Sequence, residues 1–252
     1  MNVYSSGHVH SQTVSEAFAA GGPYKIRTAP CELQAGPMFV YGNLRGLGPL
    51  LQQAQRNGQD WYYADRGYFD ASRGSDYSGF FRVTKNAYMH DGIGAAKADR
   101  WLKLGKNFAP WKKGGRRIVV CPPGAVHGQL RGFDSDEWLA STLATLRANT
   151  DRPIFVRKKP DAEFTGIPFD EEMKDCFALV CRSSNAAVDA LLLGVPVFTT
   201  HDCAASIMGG CLLENIETPV YPDRNQWAWN LAAAQWTLEE MRNGTCRREL
   251  GL

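Results

Sequence analysis

No stretch of this 252-residue chain approaches the roughly 18 to 20 uninterrupted apolar residues that a bilayer-spanning helix requires, so no membrane span is expected. The opening residues, Met1-Asn-Val-Tyr-Ser-Ser-Gly-His8, have neither the basic start nor the apolar core of a secretory leader, and a cytoplasmic location is the expectation. Internal repeats and low-complexity segments are also lacking, which sets aside solenoids and disordered arrays. The seven cysteines, Cys31, Cys121, Cys176, Cys181, Cys203, Cys211 and Cys246, form no Cys-x-x-Cys pair. An odd, scattered set reads as reduced thiols, and with His8 and His10 as the one close histidine pair no metal site is expected. A net charge of +2 gives no overall pull toward nucleic acid.

The chain is most legible between Cys181 and Thr200, Cys-Arg-Ser-Ser-Asn-Ala-Ala-Val-Asp-Ala-Leu-Leu-Leu-Gly-Val-Pro-Val-Phe-Thr-Thr. Phe177 to Cys181 is an apolar run of strand length. Ser183, Ser184 and Asn185 are helix-capping residues, and Gly194 with Pro196 stops the helix before Val197 and Phe198 resume a strand. Such a turn presents backbone N–H groups, backed by the helix dipole, to an anion such as a diphosphate. An ordinary αβ unit whose caps serve only the fold is the competing reading.

Short strands at Val3–Tyr4, Met38–Tyr41 and Trp61–Ala64, with helical stretches at 12–20 and 47–57, give a βαβαβ pattern and so a parallel sheet. Glycines and prolines then punctuate residues 105–116, a linker or crossover that divides the chain into halves 1–110 and 111–252. A strand at Arg117–Cys121, a helix at Ser135–Asn149 opened by Asp134 or Ser135, and a strand at Pro153–Arg157 follow. Residues 223–243 carry Trp227, Leu231, Ala234, Leu238 and Met241 at helical spacing, as one closing helix. The expected architecture is α/β: two small halves with parallel sheets facing a cleft.

Ligands of parallel sheets sit beyond the C-terminal strand ends, so the residues that follow each strand are the candidates. After the first strand, His8 and His10 are suited to bind substrate or shuttle a proton, or are plain surface histidines. After the third, Asp65 is the leading candidate for a general base, or half of an Asp65–Arg66 structural pair. Tyr62, Tyr63, Tyr68 and Phe69 offer stacking faces, and the continuation adds Arg82, Lys85, Asn86, His90 and a rival base, Asp91. In the second half, Arg131 follows a Pro/Gly-rich loop and could neutralise a phosphate. Arg157, Lys158 and Lys159 end a strand and suit a diphosphate leaving group, although charge clusters usually just face solvent. Lys97, Arg100, Lys103, Lys106, Lys112, Lys113, Arg116 and Arg117 alternate with Trp101, Phe108 and Trp111. That middle stretch fits a phosphate backbone or a solvated basic linker.

The second half, through Arg157 to Pro160 and Ser183 to Thr199, resembles the donor domain of capsular-polysaccharide Kdo transferases and other GT-B glycosyltransferases. The first half, through Trp61 to Phe69 and Gly79 to Ala87, resembles small phage-encoded proteins thought to be glycosyltransferases, some linked to modification of hydroxymethylated pyrimidines in DNA, as does the closing run 227–244. The resemblance implies a GT-B-like fold of two Rossmann-like halves. It implies a nucleotide-sugar co-substrate gripped by Arg131, Arg157, Lys158, Lys159, Ser183, Ser184 and Asn185, with Asp189 reaching the ribose. Asp65, Asp91 or His8 would do the proton chemistry, and His10, Arg66, Tyr68, Arg82, Lys85 and Asn86 would meet the acceptor. Asp189 stands where many such enzymes have Glu, and Lys-Pro replaces His-Pro after the basic strand, so a UDP-hexose is expected ahead of CMP-Kdo. The Asp-x-Asp metal motif of the other major glycosyltransferase fold has no match beyond Asp134-Ser-Asp136, which opens a helix, so metal independence is expected. The aromatic and basic features favour a hydroxymethyl base in DNA as acceptor. A surface-polysaccharide transferase, a non-catalytic nucleotide- or DNA-binding protein and a UDP-sugar epimerase are the alternatives.

Overall fold

The computed structural model describes residues 1–71, 76–158, 166–201 and 203–252. The chain divides into two units, Met1–His90 with Leu231–Leu252, and Asp91–Asn230. The first contains β1 (Asn2–Ser5), α1 (Val9–Ala19), β2 (Lys25–Thr28), β3 (Met38–Tyr41), α2 (Leu47–Arg56), β4 (Trp61–Arg66) and β5 (Phe81–Lys85). The second holds α3 (Asp99–Leu104), β6 (Arg117–Cys121), α4 (Ala125–Leu130), α5 (Ser135–Asn149), β7 (Ile154–Val156), α6 (Phe169–Met173), β8 (Cys176–Cys181), α7 (Asn185–Leu192) and β9 (Val197–Thr199). The division falls inside α8 (Asn225–Ala233), after which β10 (Gln235–Trp236), α9 (Leu238–Arg242) and α10 (Thr245–Glu249) belong to the first unit.

Successive residues of the first strands are buried on opposite faces. Val3, Phe39, Tyr62 and Ala64 join one apolar cluster with Val14, Ala17 and Phe18 of α1 and Leu238 and Met241 of α9. Tyr4, Met38, Val40, Trp61 and Tyr63 join another with Leu47, Leu50, Leu51 and Ala54 of α2. A sheet covered on both faces is the environment that apolar parallel strands require. Its order is β10-β5-β4-β3-β1-β2, in which β2, β1, β3 and β4 run parallel. The three strands expected to form a parallel sheet do so, and β5 and β10, which were not expected, extend it antiparallel to their neighbours. Burial of Tyr62, Tyr63, Tyr68 and Phe69 assigns these rings to the core rather than to stacking against a ligand.

The second sheet, β7-β6-β8-β9, is parallel throughout. Every residue of β8 is buried, as a central strand between two covered faces demands. Ile118, Val120, Ala178, Val180 and Phe198 pack with Leu146 of α5. Asp134 caps α5 by accepting from the N–H groups of Asp136 and Glu137, and the Ser184 hydroxyl caps α7 by accepting from Ala186 N–H at 3.2 Å. Gly194 ends α7 at φ +76°, where a Cβ would lie 2.0 Å from the Pro110 carbonyl, so only glycine fits.

That close approach shows what the punctuated stretch does. Ala109 N–H donates to Leu192 O at 2.9 Å and Lys112 N–H to Gly194 O at 2.7 Å, binding the segment to the end of α7. Trp101 stacks on Phe108 with centroids 5.1 Å apart. The Arg224 guanidinium lies 4.5 Å from the Phe108 ring and 4.1 Å from Trp111 while donating to the Leu191 and Ala109 carbonyls. The aromatic residues between the cations are therefore internal packing, not a stacking platform for bases.

The expected closing helix over 223–243 is interrupted, because residues 235–236 form β10 on the edge of the first sheet. Gln235 is the reason. Fully buried, its Oε1 accepts from the N–H groups of Tyr68 at 2.8 Å and Phe69 at 3.0 Å, and its Nε2 donates to Phe69 O. These bonds tie the C-terminal segment to the first unit, where a division at 110/111 would have grouped it with the second. Replacing Gln235 with Leu orphans two buried donors at about 1–3 kcal/mol each. Urea unfolding of Gln235→Leu is expected to show a loss of about 3 kcal/mol, and a loss below about 1 kcal/mol would contradict this role.

Candidate functional site

In each sheet the parallel strands deliver their following loops to one edge, and that edge carries most of the expected polar residues. In the second unit, β6 leads through Pro122, Pro123 and Gly124 to α4 and Arg131, β7 to Arg157 and Lys158, β8 to Arg182, Ser183 and Ser184, and β9 to Thr200 and His201. The basic strand end and the Ser-Ser turn thus share an edge, with β6 between them. Lys159 lies outside the described residues.

Charge at this edge is distributed differently from the sequence-based expectation. Arg157 is committed: its Nη1 lies 2.6 Å from Glu172 Oε2 and 2.9 Å from the Ile167 carbonyl, and only 12% of its side chain is exposed. Lys158 is exposed. The Arg182 guanidinium, by contrast, lies 3.6 Å from the Phe133 ring and has its pKa pulled below the usual arginine value, first by burial and then by the charge of Arg131. Two cations are crowded where β8 meets α7. Beside them the Ser183 hydroxyl oxygen is buried without a hydrogen-bond partner among the described residues. Ser184 is occupied as the cap of α7, Asn185 is its first residue, and Asp189 lies one turn further on, partly exposed. Arg182 was legible in sequence, as an arginine directly before the Ser-Ser turn, but the run Arg157 to Lys159 drew attention away from it.

In the first unit the edge is built by the loops after β1, β3 and β4. His8 caps α1, its Nδ1 accepting from His10 N–H, and its imidazole titrates below the usual value through desolvation, then the charges of Arg45 and His10. His10 Nδ1 meets the Tyr77 hydroxyl at 2.7 Å. Asp65 stands at the end of β4, 36% exposed, with Oδ2 2.9 Å from Arg82 Nη2 and Oδ1 accepting from Arg66 N–H. Its ionic partner is thus Arg82, not Arg66. The Tyr41 hydroxyl nearby is pushed up to about 12, mainly by burial and secondarily by the Asp65 charge.

Several residues expected at the acceptor are placed elsewhere. Arg82 is buried and its guanidinium serves Asp65, the Arg66 carbonyl at 2.7 Å and the Tyr88 carbonyl, over the Tyr68 ring. Tyr68 itself is 1% exposed, its hydroxyl accepting from His90 N–H. Because β5 runs against β4, Lys85 pairs in register with Tyr62, at the sheet edge opposite Asp65. Lys85 binds Asp60 there, and Asn86 accepts from Trp61 N–H and donates to Asp60. Asp91 belongs to the second unit, exposed, its Oδ1 accepting from Ile93 N–H in a turn.

In sequence, no family model and no curated protein matches the chain. In structure it is similar to two solved chains of Thermosulfurimonas dismutans KpsC. The beta Kdo 2,4 transferase matches at TM-score 0.55 and 14% identity, over 94% of this chain and 92% of that one. The beta Kdo 2,7 transferase matches at TM-score 0.57 and 11% identity, over 98% and 99%. The fold is GT-B-like. The likeness spans nearly the whole chain, so the resemblance of the second half to capsular Kdo transferases extends, as fold, to the first. The resemblance to phage DNA-modifying proteins finds no counterpart among these neighbours. Among the described residues no helix is long and apolar enough to cross a membrane.

The Asp65–Arg82 contact sets the position of the one carboxylate at the end of β4. Removing the arginine leaves that carboxylate and two carbonyls without their donor, a loss of about 3 kcal/mol where the arginine is buried and the carboxylate partly exposed. Chemical denaturation of Arg82→Met should show that loss, and that of Asp65→Asn, whose amide oxygen still accepts, a cost nearer about 1 kcal/mol. Equal costs in the two variants would show that Arg82 does not organise the loop.

Proposed function

We propose that the chain is a glycosyltransferase that moves a sugar from an anionic, nucleotide-activated donor to a hydroxyl of a glycan acceptor. The observation that carries this reading is the Arg131–Arg182 pair beside the unpartnered Ser183 hydroxyl at the start of α7. The charge of Arg131 adds to burial in lowering the pKa of Arg182, a juxtaposition of like charges that a dianion relieves, and the N-terminus of α7 adds its dipole and backbone donors. As the glycosidic bond to the donor breaks, negative charge gathers on the departing phosphate, and fixed cations stabilise it more there than in the ground state. They supply the charge that a metal ion supplies elsewhere, so activity is expected to survive chelation by EDTA.

Asp65 would take the proton of the acceptor hydroxyl as its oxygen attacks the anomeric carbon, held for this by Arg82, which acts as a positioning residue. A diphosphate, and a phosphate flanked by a sugar carboxylate, each bring two negative charges to the pair. A UDP-hexose therefore remains the first donor to test and CMP-Kdo the second, the latter because both structural neighbours are Kdo transferases. For the acceptor, a glycan stands ahead of hydroxymethylated DNA, since Trp101, Phe108 and Trp111 are spent on internal packing.

The test is transfer of radiolabelled sugar from UDP-glucose and CMP-Kdo to oligosaccharides and to hydroxymethylated or plain DNA. Arg182→Ala is expected to lower kcat/KM about 100-fold, and Asp65→Asn to lower kcat about 100-fold or more with little change in donor binding. A donor at about 100 times its Kd should stabilise the wild-type fold by about 2.7 kcal/mol. Release of a free, epimerised nucleotide-sugar would mark an epimerase, and absence of both stabilisation and transfer across the panel would overturn the proposal.

A further inference from the structure

We infer that the loop joining β3 to α2, residues 42–48, is an oxyanion-binding subsite that takes a carboxylate or phosphate group of the acceptor. Its role toward an acceptor rests on the transferase reading above; its anion binding does not.

The ten-residue helix α2 starts at Gly46 without any side-chain cap. Leu47 N–H turns back to the Leu44 carbonyl and Pro49 has no N–H, while the N–H groups of Gly46 and Gly48 find no acceptor among the described residues. A helix start in this state is an unneutralised positive dipole end. The second observation is independent of the helix. Asn43, only 7% exposed, buries its Nδ2 with no hydrogen-bond partner among the described residues, so that the amide is shielded from water without a replacement acceptor there. Arg45, two residues on, is exposed and has no ion pair among the described residues, and its charge reaches His8 on the neighbouring β1 loop. Arg45 holds φ +55° between Gly42 at +70° and Gly46 at +89°. That left-handed backbone is one an arginine adopts at a cost, and it sets Arg45 in the same loop as the orphaned amide.

Amide donor, guanidinium and helix start together make a set of donors that only an acceptor-rich, negatively charged group satisfies. Leu44, 53% accessible within the loop, adds apolar surface suited to the carbon face of a sugar. A second anion site in the unit that carries Asp65 is what an acidic acceptor would need in order to be oriented independently of the donor.

The experiment follows backbone and side-chain amides of the ¹⁵N-labelled full chain by NMR during titration with inorganic phosphate, with glucuronate and with neutral glucose. The expected result is saturable movement of the Asn43 side-chain amide and of the Gly46 and Gly48 amides with both anions and none with glucose. The better-bound anion then names the acceptor's charged group. Arg45→Asn, which removes the charge yet tolerates the left-handed backbone, should weaken this response at least tenfold. Asn43→Leu should abolish it with the remaining spectrum intact. Silence of these amides, or an unchanged response in Arg45→Asn, overturns the inference. Amides of Ser183 to Asn185 report the donor edge in the same spectra: their response beside a silent loop would leave the transferase reading standing and remove only the subsite.

Discussion

Burial of both sheet faces is the constraint from which the rest follows. Once Val3 and Tyr4, or Phe39 and Val40, are each committed to opposite apolar clusters, no polar group can be accommodated on a face without a partner. Chemistry is then confined to strand ends. Parallel pairing adds direction, because within each sheet the parallel strands, all four of the second and four of the first, deliver their following loops to one edge of that sheet. The clustering of Arg131, Arg182, Ser183 and Thr200, residues up to 69 positions apart, is a consequence of that pairing and needs no further explanation.

The same constraint explains how much could be read in advance. The strands and α7 were legible because their signals are local: an apolar run of six residues in β8, capping residues at Ser184 and Asp134, and a glycine at 194 where the backbone turns left-handed. β10 was not legible. Gln235 and Trp236 sit within a pattern of helical spacing, and what pulls them out is pairing with β5, more than 150 residues earlier, together with three hydrogen bonds from the Gln235 side chain to Tyr68 and Phe69 after β4. Tertiary pairing overrides a periodicity that carries no information about distant donors.

Site residues divide along a similar line. A sequence shows where cations are, not which of them are already neutralised. Arg157 reads as a phosphate ligand until Glu172 is found 2.6 Å away, and Arg82 reads as an acceptor contact until its head group is seen serving Asp65 and two carbonyls. Neither partnership follows from spacing, since the first spans 15 residues and the second joins strands in an antiparallel register. Asn43 shows the reverse. It is an unremarkable residue in sequence, and it acquires meaning only when its amide is found buried with nothing to bond.

That distinction bears on how a fold can persist while sequence identity falls to between 11% and 14%. The architecture depends on alternating apolar positions, and many combinations of Val, Ile, Leu, Phe and Tyr satisfy those equally well. Site chemistry depends on a few edge residues, and these can be exchanged without disturbing the sheets behind them. Here the positive charge expected from Arg157 is consumed internally by Glu172, and the structure sets Arg131 beyond β6, one strand away, and Arg182 at the end of β8, two strands away. If the donor edge of such a fold is defined by cations gathered near the start of α7 rather than by any fixed sequence position, a motif search keyed to the β7 end would pass over it. The physical signature, crowded guanidinium groups beside an unpartnered hydroxyl, would still find it.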